Sequence, residues 1–128
     1  METISILCQS ELTEKDLFDF VDEEGGHPIS GQFGGFCIER GAPAVFLSIE
    51  AERFRDWARI KDRHPKLSTA IKTVLLITMS RQEGTEFLCF EIATKIANRW
   101  NGVIDWEGLA CYPEFYKRWL DNQKTSLS

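Results

Sequence analysis

The sequence predicts an α+β fold in which helices pack on a single, mostly antiparallel sheet. Strand-like and amphipathic segments alternate in the order β-α-β-β-α-β-α-β, followed by a C-terminal helix. The 128 residues suffice for one core and leave little room for a second domain. Apolar residues at 43% and charged residues at 27% are ordinary globular values, which argues against disorder. We therefore expect one domain over residues 1–122 and a flexible tail over 123–128.

The first two elements are a strand and an amphipathic helix. Residues 3–8 alternate in polarity and are rich in β-branched side chains, as expected of a strand. Thr13 is a suitable N-cap for the helix, whose first turn is acidic. Gly25 and Gly26 are a typical helix end. The buried stripe of this helix is predicted at helical spacing, with Phe18 beside it to widen it: Leu17, Phe20 and Val21.

A β-hairpin is predicted after the first helix. Its strands span residues 33–39 and 44–50, and the connecting residues 40–43 contain the Gly and Pro typical of a turn. Gly34 and Gly35 lie inside the first strand, where they indicate a bulge or a close backbone approach.

A second helix and a central strand follow the hairpin. Residues 51–63 have helical periodicity, which Pro65 terminates because it restricts the preceding residue. Residues 70–79 form a nearly continuous apolar and β-branched run. Such a run is typical of a strand that is buried on both faces, so we expect it at the centre of the sheet.

The longest predicted helix lies within residues 80–100, where apolar side chains recur at helical spacing. It begins either at a capping box on Ser80 or near Gly84. Three shorter features follow: a helix stop at Asn101-Gly102, a strand over 103–106 and a helix over 112–122.

The charge and the cysteines narrow the classes of function. A net charge of −5 argues against a general nucleic-acid binder, whose domain is usually basic. The apolar runs are far shorter than the roughly 20 residues of a membrane span. Because Glu2 is acidic and no basic region follows Met1, we expect no secretory signal. Four scattered cysteines are typical of buried thiols in a reducing compartment: Cys8, Cys37, Cys89 and Cys111. We expect a cytoplasmic protein that binds neither nucleic acid nor membrane.

No motif for catalysis, cofactor binding or metal binding emerges. His27 and His64 are isolated, and each is interpreted as a solvent-exposed loop residue rather than a metal ligand. Asp105 and Glu107 lie two apart on one strand face, a spacing that suits acid–base chemistry or metal binding. A polar strand face is the favoured interpretation of that pair. We therefore expect a non-enzymatic protein without a cofactor or metal.

Charge is segregated along the chain. Residues 11–24 carry seven acids and one base, whereas residues 53–66 carry six bases and two acids. Either the two segments complement each other within the fold, or the acidic helix docks on a basic cleft of a partner. Under the second interpretation, the candidate partner-binding residues are Glu14, Asp16, Asp19, Asp22, Glu23 and Glu24, with Asp105 and Glu107.

Residues 86–108 resemble a helix–turn–strand segment of small bacterial immunity proteins that are encoded beside polymorphic or contact-dependent toxins. The shared features are an aromatic helix end at Trp100, the pair Asn101-Gly102, and a hydrophobic-Asp-aromatic strand, Ile104-Asp105-Trp106, that closes with Gly108. Residues 46–49 and 76–80 also fit this pattern. The resemblance extends over about 60 residues in all.

This resemblance implies a cytosolic binder that blocks a cognate protein toxin and carries no catalytic residue. The acidity would suit a nuclease or another enzyme with a basic cleft, because the inhibitor then mimics phosphate charge. A small-ligand-binding or regulatory α+β domain is the alternative, and an enzyme that uses Asp105 and Glu107 is a more distant one. The sequence leaves the oligomeric state open.

Overall fold

The strands form one antiparallel sheet with helices packed on it, which confirms the predicted α+β class. The computed structural model describes residues 3–29, 35–50, 71–106 and 109–111. The helices in these ranges are α1 (Glu14–Glu23) and α2 (Thr85–Arg99). The strands are β1 (Thr3–Cys8), β2 (His27–Pro28), β3 (Phe36–Glu39), β4 (Ala44–Glu50), β5 (Thr73–Met79), β6 (Gly102–Trp106) and β7 (Leu109–Cys111). Across the sheet, the strand order is β2-β3-β4-β5-β1-β6-β7.

The elements agree closely with those predicted from the sequence. β1 and β4 have the predicted bounds, while β3 and β5 each begin three residues later than predicted. The longest helix begins after Gly84, the second of its two predicted starts. The helices predicted over 51–63 and 112–122, and the tail over 123–128, lie outside the described residues.

Two strands are additions to the predicted order. β2 has two residues and β7 has three, which is too short for an alternating pattern to be recognised. β2 is a strand because it pairs with β3, with His27 opposite Cys37. The sequence interpretation of His27 as a loop residue is therefore wrong: it lies in the edge strand of the sheet.

β5 lies at the centre of the sheet, as the continuous apolar run predicts. β4 pairs with one of its edges and β1 with the other. Successive side chains of a strand point to opposite faces, and both Val74 and Leu75 are fully buried. β5 thus contributes to the core on both faces of the sheet.

The main core lies between the sheet and the two described helices. Both α1 and α2 pack on the same face, to which alternate residues of the central strands contribute. This core includes Ile6, Leu75 and Ile77 from the sheet, Leu17, Phe20 and Val21 from α1, and Leu88, Ile92 and Ile96 from α2. A smaller cluster occupies the opposite face, formed by Leu7, Ile71 and Val74. No helix in the described ranges combines the length and apolarity that a bilayer crossing requires.

The hairpin of β3 and β4 has the expected turn chemistry. The turn is closed by a hydrogen bond of 2.9 Å from the Arg40 amide to the Pro43 carbonyl oxygen. At Gly35, φ is 100°, and an added Cβ would lie 2.6 Å from the Leu47 carbonyl oxygen. This confirms the predicted close backbone approach at Gly35, whereas Gly34 lies outside the described residues.

Three of the cysteines are buried: Cys8, Cys37 and Cys89. Burial raises the pKa of the Cys8 thiol to about 12. Since the thiolate is the reactive form, this raised pKa lowers the reactivity of Cys8 in the folded protein. Its side chain acts as a small apolar group of the core.

The N-terminus of α1 is closed by the capping interaction that Thr13 predicts. The Asp16 amide donates to Thr13 Oγ1 at 3.1 Å, and the Thr13 amide donates to Asp16 Oδ2 at 3.0 Å. Two amides that have no partner within the helix are thereby satisfied. The hydrogen bonds that the Thr13 amide and side chain make to the Asp16 carboxylate hold the pKa of this group below its ordinary value.

We expect Thr13→Ala to lower the free energy of unfolding by about 1 kcal/mol, because the Asp16 amide loses its acceptor. A lowered folded-state pKa means that the Asp16 carboxylate stabilises the fold above pH 3.8 and loses this effect as the pH falls further. Urea denaturation at pH 7 and at pH 3 measures both effects.

Thr94→Ala provides the matched control for this substitution. Thr94 lies within α2, and its buried hydroxyl has no hydrogen-bond partner in the described part of the chain. Because alanine is the better helix former, this change should preserve or slightly raise stability. Equal losses in the two variants would contradict the capping role of Thr13.

Candidate functional site

The acidic residues of α1 are divided between an exposed face and an internal ion-pair cluster. Glu14, Phe18 and Asp22 lie four residues apart and form one row along the helix, with Asp19 beside it. All four side chains are exposed. We call these four residues the acidic face. Neither Glu14 nor Asp22 has an ion-pair partner within the described ranges.

Phe18 is the aromatic centre of the acidic face. It is 46% exposed and is the only exposed large apolar side chain among the residues described. Its ring makes an edge-to-face contact with Phe36, with centroids 6.2 Å apart. It therefore lies outside the buried stripe that it was expected to widen. Because this contact already restrains the ring, binding at its free side would cost little conformational entropy.

Asp16 and Asp19 differ in how much of their charge is available. The Asp16 carboxylate is occupied by the capping interaction with Thr13. Asp19 lies 3.9 Å from the Lys15 ammonium, and both side chains are largely exposed. Such an ion pair contributes little, because water screens it and both side chains stay flexible. Asp19 is thus free to contact another molecule.

Glu23 and Glu24 tie the C-terminal end of α1 to the rest of the fold. Lys95 Nζ and Arg40 Nη2 each lie 3.0 Å from the Glu24 carboxylate, whose side chain is only 14% exposed. Arg99 Nη1 lies 2.9 Å from Glu23 Oε2. We call these five residues the ion-pair cluster. Its cations come from α2 and from the β3–β4 turn.

The ion-pair cluster has an electrostatic cause. The last turn of α1 contains acids and no base, although the helix dipole favours positive charge at that end. Arg40 supplies this positive charge, because its guanidinium donates to the Glu24 carbonyl oxygen at 2.6 Å. Internal charge pairing therefore does occur, but with Arg40, Lys95 and Arg99. The basic segment 53–66 lies outside the described residues, so its own pairing with α1 stays a hypothesis.

Asp105 is not brought together with the acids of α1. Asp105 lies on β6 opposite Ser5 and is 4% exposed. The neighbouring Ile104 joins the core beneath the helices, so Asp105 faces the other side of the sheet. Glu107 lies outside the described residues. Of the predicted partner-binding residues, Glu14, Asp19 and Asp22 thus share one exposed surface, and their role in binding stays a prediction.

The pairing of β2 with β3 assembles a second group of polar side chains, which sequence reasoning did not connect. His27 is the partner of Cys37 across the two strands, and Glu39 follows Cys37 by two residues. Their potential ligand atoms all lie within 4.8 Å of one another. We call these three residues the edge triad. A cysteine and a carboxylate two apart on one strand face were the available signal, but nothing local indicates that His27 joins them.

Within the edge triad, Cys37 interacts directly with Glu39. The thiol donates to Glu39 Oε1 at 3.6 Å. Cys37 is 3% exposed, whereas His27 and Glu39 are exposed. Burial raises the pKa of the Cys37 thiol to about 11, and the hydrogen bond to Glu39 and its negative charge add to that effect.

The C-terminus of α1 places His27 next to β3. Gly25 adopts a φ of 78°, and its amide donates to the Asp22 carbonyl at 3.1 Å. The Gly26 amide donates to the Val21 carbonyl at 2.8 Å, which completes a Schellman motif. A Cβ at Gly26 would collide with the Cys37 carbonyl oxygen. Glycine is therefore required for the chain to pass this close to β3 and deliver His27 opposite Cys37.

Comparison with known proteins identifies no relative of this chain. No protein-family model matches it, and neither does a curated protein or a solved structure. The fold is therefore assigned as α+β with an antiparallel sheet, without a family. The resemblance to immunity proteins stays a prediction, and the functional proposal rests on the residues described above.

Proposed function

We propose that this protein is a cytoplasmic immunity protein that neutralises a cognate bacterial toxin by docking the acidic face of α1 on a basic surface of that toxin. The observation that carries the proposal is an exposed aromatic ring, Phe18, set between Glu14 and Asp22 on one helical row. The resemblance of residues 86–108 to immunity proteins supports the same class of function.

The composition of the acidic face suits an inhibitory contact. Asp22 follows Glu14 by eight positions, so the row is about 12 Å long at a rise of about 1.5 Å per residue. Carboxylates at both ends attract a basic cleft, steer the encounter and discriminate against partners without positive charge. Phe18, at the middle, is the type of residue that anchors an interface once water is excluded around it.

The ion-pair cluster supports this role indirectly. Glu23 and Glu24 join α1 to α2 and to the β3–β4 turn. A helix held at its C-terminal end presents its acidic face in one orientation, which lowers the entropic cost of docking. Blocking a toxin by occupying its cleft requires shape and charge and no catalytic residue.

The experiment is to co-express the chain with the product of the gene beside its own, which the proposal takes to be the toxin, and to measure survival and binding kinetics. We expect Glu14→Lys with Asp22→Lys to slow association about tenfold or more at low salt, because steering is reversed. Phe18→Ala should cost more than about 1 kcal/mol of binding free energy, chiefly through faster dissociation. Both variants should protect cells less well.

A matched control carries the same change of charge on α2. Glu86 and Glu91 are exposed there, and Glu86→Lys with Glu91→Lys should leave protection and association unchanged. Absence of binding to the adjacent toxin would refute the proposal. Equal effects from the α1 and α2 variants would refute α1 as the docking element.

A further inference from the structure

We propose that the edge triad, His27, Cys37 and Glu39, binds a divalent transition-metal ion of the zinc type. The site is distinct from the acidic face of α1. Phe36 and Ile38 contribute to the core beneath the helices. Cys37 and Glu39, which alternate with them along β3, therefore lie on the opposite face of the sheet.

The distance between Cys37 and Glu39 matches that between two ligands of a tetrahedral ion. Zn–S and Zn–O bonds of about 2.3 and about 2.0 Å place the two ligand atoms about 3.5 Å apart. Cys37 Sγ and Glu39 Oε1 are separated by 3.6 Å. The imidazole nitrogen lies within 4.8 Å of both atoms. Since His27 is exposed, rotation of its side chain can shorten that separation.

The charge around Glu39 also favours a cation. The only base adjacent to it in sequence, Arg40, directs its guanidinium to the carboxylate and carbonyl of Glu24. It also donates to the Glu39 carbonyl oxygen at 3.4 Å, which leaves the Glu39 carboxylate without this cation. Within the described ranges, the Glu39 carboxylate has no ion-pair partner, and the Cys37 thiol is its hydrogen-bond donor. A bound cation would neutralise this carboxylate and replace the thiol proton, which leaves to the buffer.

The ligand types select among metals. Thiolate and imidazole bind zinc, cobalt, nickel or copper in preference to magnesium or calcium, which require more oxygen ligands. Three protein ligands leave a fourth position for water, since His27 and Glu39 are exposed to solvent. The cation would also connect β2, which has only two residues, to β3 by side-chain bonds. Zinc is therefore expected to stabilise this edge of the sheet.

The test uses the full chain, stripped of metal and titrated with Co²⁺ as a spectroscopic probe and then with Zn²⁺. We expect tetrahedral Co²⁺ bands and a thiolate-to-Co²⁺ charge-transfer band, both displaced by Zn²⁺ and unaffected by excess Mg²⁺. Zn²⁺ should also raise the melting temperature, because an ion that binds only the folded state stabilises it.

Three substitutions and three controls identify the ligands. Cys37→Ser should abolish the charge-transfer band, while His27→Gln and Glu39→Gln should each weaken Zn²⁺ binding about tenfold or more. Control variants change the same residue types elsewhere and should retain binding: Cys8→Ala, His64→Gln and Glu91→Gln. Because His27 and Glu39 are exposed, their variants keep the test valid even if Cys37→Ser fails to fold.

Several results would overturn the site. These are the absence of Co²⁺ bands, a charge-transfer band that disappears in Cys8→Ala, or unchanged Zn²⁺ affinity in both His27→Gln and Glu39→Gln. A rise in melting temperature with Zn²⁺ that is as large in His27→Gln as in the unaltered chain would equally assign the ion to another location. Toxin binding is measured separately, so failure of either proposal does not decide the other.

Discussion

Replacing Phe90 with alanine is expected to lower the free energy of unfolding by about 3–5 kcal/mol. Phe90 lies on α2, is fully buried and is among the largest buried side chains of the core. Its removal forfeits the transfer free energy of the ring and leaves a cavity between α2 and the sheet. For a domain stable by roughly 5–15 kcal/mol, this is a large fraction of the total.

Phe18→Ala is the matched control, since it makes the same chemical change on an exposed ring. It should cost about 1 kcal/mol, mainly from the lost contact with Phe36. Urea denaturation gives both values from the midpoint and the slope. If Phe90→Ala does not fold, Phe90→Leu should still fold and lose less, because it removes fewer atoms. Similar losses in Phe90→Ala and Phe18→Ala would contradict the division between core and acidic face.

Gly26→Ala should also be strongly destabilising, by about 2–3 kcal/mol. The new Cβ would collide with the Cys37 carbonyl oxygen and lie 2.7 Å from Val21 Cγ1, so α1 and β3 would have to separate. Such a shift moves His27, the next residue, away from Cys37. We therefore expect Zn²⁺ affinity to fall together with stability if the edge triad binds the ion.

Gly41→Ala is the control that separates the steric collision at Gly26 from the backbone strain of replacing a glycine. Gly41 has a φ of 71°, and an added Cβ would meet no atom within 4 Å. Its cost of about 1 kcal/mol comes from backbone strain alone, and Zn²⁺ affinity should be unchanged. Urea denaturation and Co²⁺ titration of both variants give the comparison. Equal stability losses would show that the close approach of Gly26 to β3 is not strongly constrained.

Elements with local signals were predictable from the sequence. Thr13 and Asp16 are three residues apart, and Gly25-Gly26 follow the last turn, so both ends of α1 are specified within a few residues. The central position of β5 followed from its continuous apolar run, because only a strand covered on both faces can bury such a sequence.

The surfaces were less predictable than the elements. The spacing of residues 11–24 indicated an acidic helix but not which of its charges are compensated. The negative charges of Glu23 and Glu24 are compensated by cations from other elements. Arg40 comes from the β3–β4 turn, and Lys95 and Arg99 come from α2. Similarly, Phe18 could be assigned to the buried stripe or to solvent until the packing of α1 on the sheet was known.

By itself, the sequence determined the α+β class, the strand and helix order of the described ranges except for β2 and β7, and an acidic α1. Each depends on periodicity and caps that act over a few residues. Only the tertiary structure decided that Glu14, Phe18 and Asp22 stay exposed while Glu24 is held internally. The pairing of His27 with Cys37 was also visible only in the tertiary structure. Strand pairing and ion pairing join residues far apart in the chain, and no local pattern encodes which partners will meet.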